Sequence, residues 1–109
     1  FAFYDAMVNY KREEYTVAIQ KWEAILPEKP TNDTLNYFLG VANLANGNVA
    51  SAIDYLTKAA DDKNSFLKND IFYYLGLAYL KENNIALAKE NFKLSNSSQS
   101  EKILSELNN

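Results

Sequence analysis

Two adjacent carboxylate pairs, Glu13-Glu14 and Asp61-Asp62, are the densest groups of residues able to do acid–base chemistry. A general acid and base must face each other across a substrate, and neighbours in a turn cannot. Both pairs therefore read as solvated turn charge. The chain of 109 residues has no His and no Cys, so imidazole bases, thiol nucleophiles and His or Cys metal ligands are excluded. No phosphate-cradling Gly-rich loop, HExxH or EF-hand spacing occurs. A Ser or Lys without an activating neighbour is a weak nucleophile. The expectation is a protein that is not an enzyme, with no cofactor and no metal site.

Recognition chemistry is better supplied. Tyr37, Phe38, Val41 and Leu44 stand at i, i+1, i+4 and i+7. Tyr73, Tyr74, Leu77 and Leu80 repeat that spacing, and so do Phe3, Tyr4, Met7 and Tyr10. Each set falls on one face of a helix. The stretch 71–80 is apolar nearly all round, and such a helix is either buried on every side or shows one face to something else. A contiguous apolar and aromatic patch marks an interaction site. The competing reading is that these rings pack on one another as core, with their hydroxyls toward water. Lys and Arg are scattered and the net charge is −3, so the basic stripe of a nucleic-acid groove is missing. The ten-residue apolar run is too short to cross a bilayer, so no direct membrane insertion is expected.

Short helices must position these faces. The periodicity and turn signals predict helices over 3–11, 15–26, 33–45, 49–60, 70–81 and 85–94, with a last one over 98–107. The second is expected to stop before Pro27, because the residue preceding a Pro is pushed out of helical geometry. Asn32 or Asp33 caps the third. Gly47 is free to take positive φ in the Asn46-Gly47-Asn48 turn, and Glu82-Asn83-Asn84 is another tight turn. Ser98-Gln99-Ser100-Glu101 has capping-box spacing.

These elements recur. Leu39-Gly40, Ala52, Leu56 and Ala59 stand thirty-six residues before Leu75-Gly76, Ala88, Phe92 and Ser95. Ala18, Trp22 and Pro30 stand thirty-four residues before Ala52, Leu56 and Asn64. Leu-Gly, Tyr, Ala and Phe at Leu75-Gly76, Tyr79, Ala88 and Phe92 follow the tetratricopeptide (TPR) pattern. The sequence thus resembles the TPR family over nearly its whole length. Asn43 stands where that pattern has Tyr, and Asn36 where it has a large apolar residue.

The resemblance implies an all-α array of antiparallel helix-turn-helix repeats in a right-handed superhelix of about seven helices. It divides a single domain into repeat one (1–32), repeat two (33–66), repeat three (69–96) and a capping helix (98–107). It also implies that one side of each first helix lines a concave groove where partners bind. On that register the expected partner site is Tyr37, Phe38, Val41, Tyr73, Tyr74 and Leu77, with Tyr4 and Met7. Some TPR domains clamp acidic tails through Lys, Arg and Asn. Here that side is apolar, with Lys11 and Lys81 at its edge and Asp70 at its entrance, so an apolar or aromatic segment fits better. The expected function is a protein–protein interaction module or adaptor binding a protein or peptide. The alternative is a self-association scaffold, a homodimer, within a larger envelope-anchored protein. A likeness to TPR chaperones of secreted proteins, and to TPR tails outside a single membrane span, leaves a cytoplasmic or periplasmic location equally open. Phe1 falls at the third position of repeat one, so the chain reads as part of a longer protein.

Overall fold

The computed structural model describes all residues, Phe1 to Asn109. Its helices are α1 (Ala2–Lys11), α2 (Tyr15–Ile25), α3 (Asp33–Ala45), α4 (Val49–Ala60), α5 (Lys68–Lys81), α6 (Ile85–Ser95) and α7 (Ser98–Leu107), with a 3-10 turn at Leu26–Glu28 after α2. There are no strands. The pairs α1/α2, α3/α4 and α5/α6 form three hairpins, α3 and α5 each also lie on the preceding pair, and α7 packs on α6. The array measures 45 × 27 × 21 Å.

The three hairpins close the same way. Glu13 (φ 63°), Gly47 (φ 85°) and Asn83 (φ 61°) are left-handed. The next amide in each reaches back five residues: Glu14 N–H to the Asn9 carbonyl at 2.9 Å, Asn48 to Asn43 at 2.8 Å, and Asn84 to Tyr79 at 2.9 Å. This termination satisfies orphan carbonyls at the end of the first helix. Only Gly47 adopts its conformation without steric cost, and Asn83 tolerates it better than Glu13 does.

Packing between the helices of a hairpin explains the small residues. A Cβ at Gly76 would stand 2.4 Å from the Phe92 ring, and one at Gly40 would stand 2.5 Å from Leu56 Cγ. Ala6 holds the equivalent place in repeat one, fully buried in the same cluster as Trp22. Ala18, Ala52 and Ala88 are fully buried on the second helices. Between hairpins, Leu35, Leu39 and Ala42 cluster with Ala18, Ile19 and Trp22. Ile71 and Leu75 cluster with Leu56 and Ala59. The Trp22 indole N–H donates to the Phe3 carbonyl at 3.1 Å, so the one buried indole donor is satisfied.

The chain departs from expectation in several places, each with a local cause. α2 stops at Ile25, before Pro27 as expected, but the chain goes on into a 3-10 turn with Pro27 in its first turn, where the missing N–H is not needed. Ser97, not Ser98, caps α7, and its hydroxyl accepts from the Ser100 N–H at 3.2 Å. The left-handed Asn96 (φ 49°) ends α6 and turns the chain so that Ser97 reaches the cap. The hydroxyls of Ser95, Ser97 and Ser100 bond one another at 2.7–3.0 Å. α5 starts two residues early, at Lys68. Ser65 ties the long connection before it to the start of α3 by donating to the Asp33 carboxylate, and accepts from the Leu67 N–H at 3.1 Å. Asn36 and Asn43, at apolar places of the pattern, are buried. Asn36 donates to the carbonyls of Pro30 and Asn32 at 3.1 and 2.9 Å, and Asn43 to that of Leu39 at 2.7 Å.

Candidate functional site

The first helices α1, α3 and α5 lie side by side, and the residues expected to recognise a partner fall where these helices meet. Phe38 is wedged from α3 against the first hairpin. Its ring centroid lies 5.8 Å from Phe3, 5.8 Å from Tyr10 and 5.7 Å from Trp22. Tyr74 is the equivalent residue one repeat on. It lies 6.0 Å from Tyr37 on α3, edge to face. Tyr4 is the equivalent residue one repeat back, where no preceding first helix exists within the chain, and it is 68% exposed. One register position thus has two packed members and one open member.

Tyr37 and Val41 are not on an open face. They are 8% and 7% exposed and belong to the core cluster that joins α3 to α5. The cause is the position of α3, which has a first helix on either side. α5 has a first-helix neighbour only on the α3 side; Tyr74 and Leu77 pack toward that side, and Tyr73, Tyr74, Leu77 and Leu80 all remain half-buried. Met7 on α1 is half-buried against the first cluster. The structure therefore brings Tyr37, Phe38, Val41, Tyr73, Tyr74 and Leu77 into one continuous region. It sets Tyr4 apart at the far edge of α1 and leaves the accessible part on α5.

Tyr10, Tyr37 and Tyr74 are held as neutral phenols beyond the usual range. Burial raises the pKa of Tyr37, with Tyr74, Asp70 and Tyr10 adding to the effect. Burial likewise raises Tyr74, helped by Tyr73 and Asp70, and raises Tyr10, helped by Tyr74 and Tyr15. Hydroxyls of α1, α3 and α5 thus act on one another and on a carboxylate at the start of α5. Tyr55, on a second helix, spends its hydroxyl differently. It donates to Glu23 at 2.8 Å, and burial followed by that bond pushes its pKa up to about 12.

Two clefts lie away from this region. One, of about 490 Å³, is lined by Phe1, Tyr4, Ile25, Lys29 and Leu35 among others. The other, of about 560 Å³, lies between Pro30, Thr31, Lys58, Asp61 and Asp62. No three His, Cys, Asp or Glu residues converge as metal ligands. No helix is long and apolar enough to cross a membrane. Phe66, in the connection before α5, is 97% exposed and was not legible as a surface residue, since an isolated Phe between turn residues carries no periodicity.

No protein-family model matches the chain, and no curated protein matches it in sequence. Solved structures do match in shape. The Sgt2 TPR domain from Aspergillus fumigatus superposes with a TM-score of 0.86 at 21% identity, over 98% of this chain and 74% of that one. The first TPR of Spaghetti (RPAP3), bound to the HSP90 peptide SRMEEVD, gives 0.88 at 16% identity over 98% and 87%. The Yersinia enterocolitica type III secretion chaperone SycD, in complex with a peptide of the translocator YopD, gives 0.80 at 16% identity over 98% and 84%. The chain has the all-α helical-repeat fold of TPR domains.

Proposed function

We propose that this TPR-fold chain is a non-catalytic interaction module that binds a peptide segment of a partner protein along its first helices. One observation carries the reading. The side of α5 bearing Tyr73, Tyr74, Leu77 and Leu80 stays half-exposed after every helix of the array has found its neighbours. α7 packs on α6 and supplies its cover there. Half-exposed tyrosines make good anchors, since a rigid ring gives contact area at small entropy cost. Tyr37, Phe38 and Val41 then act as the floor that holds these anchors, with Met7 extending the region onto α1 and Tyr4 standing apart at its far edge. Neighbours of the same fold bind an HSP90 peptide and a YopD peptide, which supports peptide recognition as the mode. On this reading the working units are the three hairpins, 1–32, 33–66 and 69–96, with 98–107 as cap.

A random peptide library displayed on phage and selected on the full chain tests this. Selected peptides should shift the backbone amide signals of 73–80 in a two-dimensional NMR titration. Perturbation confined to α2, α4 and α6 would overturn it. Self-association is the competing function, favoured by the exposed Phe1 before α1 and Tyr4 and Val8 on it. Light scattering after gel filtration separates the two, because a dimer that masks 73–80 from selected peptides would favour self-association.

A further inference from the structure

The chain contains one ion pair, Lys21 to Asp5 at 3.0 Å. Asp70, in the first turn of α5, is exposed and has no cation within that reach. Its neighbours are aromatic. Tyr73 and Tyr74 follow at i+3 and i+4, on the same face one turn along. Their ring centroids are 5.3 Å apart, and Tyr74 lies 6.0 Å from Tyr37. The nearest Lys in sequence, Lys68, is two residues back and so about 200° round the helix. Lys81 is eleven residues on, about 16 Å along the axis. An exposed carboxylate one turn before two tyrosines on the same helix face is a place for a cation, since ring quadrupole and carboxylate attract the same charge.

We infer that the partner segment brings a cationic side chain, Arg or Lys, to Asp70, Tyr73 and Tyr74, with apolar neighbours on Leu77 and Leu80. The inference rests on the reading of the first-helix side as the partner site and gives that partner a charge. The carboxylate takes the charged head, and the rings take the stem and, for Arg, the guanidinium plane. That polarity is opposite to the acidic peptide SRMEEVD bound by the RPAP3 domain of the same fold. The raised pKa values of Tyr37 and Tyr74, to which Asp70 contributes, agree with the carboxylate lying close to both rings.

Two synthetic probes test it, acetyl-LFRLF-amide and the same peptide with Glu replacing Arg, titrated by NMR into the full chain. The Arg peptide should bind at least about tenfold tighter, with shifts centred on Asp70, Tyr73 and Tyr74. Asp70→Asn should cut that preference to about twofold or less. Tyr73→Leu, which keeps bulk but removes the ring face, should weaken the Arg peptide several-fold and leave the Glu peptide unchanged. Equal affinities, or a preference for Glu with shifts on the same face, would overturn the cation site and leave the partner groove standing. Shifts elsewhere, or none from either peptide at millimolar concentration, would overturn both.

Discussion

Gly76→Ala adds one methyl group where α5 crosses α6, the tighter of the two glycine crossings. The new Cβ would stand 2.4, 2.6 and 2.7 Å from three atoms of the Phe92 ring. Ordinary carbon contacts lie near 3.5–4.0 Å, so the ring must retreat by about 1 Å. Phe92 is 1% exposed and cannot swing into solvent. Overpacking of this kind costs about 1–3 kcal/mol, and the upper half of that range applies to a rigid ring. Replacing a mid-helix Gly by Ala returns about 1 kcal/mol of helix propensity. The net loss is about 1–2 kcal/mol, a fall in Tm of about 4–10 °C for a chain of this size. Differential scanning calorimetry measures it. Phe92→Leu makes room, so Gly76→Ala combined with Phe92→Leu should cost at least about 1 kcal/mol less than the sum of the single changes. An unchanged or raised Tm in Gly76→Ala would refute the reasoning, because propensity would then outweigh packing at the crossing.

Glu13 carries the left-handed conformation that Gly47 carries one repeat on, so Glu13→Gly should stabilise the chain by about 0.5–1 kcal/mol in urea unfolding. Removing residues 99–109 should uncover the side of α6 that Ile103, Leu104 and Leu107 help to cover, and promote aggregation seen by light scattering; a truncated chain that stays monomeric and equally stable would contradict that role. Unfolded tyrosines release their protons near pH 10, whereas the folded Tyr55 holds its own to about 12 and Tyr10, Tyr37 and Tyr74 are also raised. Above about pH 10 the native state therefore binds more protons than the unfolded one, and stability should fall as pH rises from there, while below it this contribution is constant. Melts across that range should show the fall, and Tyr55→Phe should lessen it.

The hairpins were legible because their chemistry is local. Gly40 and Gly76 must be small where Leu56 and Phe92 press on them, and that need leaves Leu-Gly at a fixed offset from the partner residue. Gly47 announces its turn for another local reason, its positive φ of 85°. Other features depend on neighbours that spacing does not describe. Ser97 and Ser98 both fit a capping pattern, and the left-handed Asn96 decides between them. Tyr37 and Tyr73 share residue type and register, yet Tyr37 is buried and Tyr73 half-exposed. Only the flanking of α3 by first helices on both sides separates them. For that reason Tyr37→Ser would report mainly on stability, and Tyr73 and Leu77 are the positions that report on recognition.

The measurement that bears most directly on the central claim is the affinity of one library-selected peptide for two substituted chains, read by isothermal titration calorimetry. Leu77→Glu places a charge on the half-exposed side of α5 and should weaken binding by about 2 kcal/mol or more, roughly thirtyfold. Lys93→Ser changes an exposed residue of the second helix α6 and should leave affinity unaltered, with both chains keeping the wild-type circular dichroism. Loss of binding in Lys93→Ser, with Leu77→Glu binding as wild type, would contradict the assignment of the partner site to the first helices.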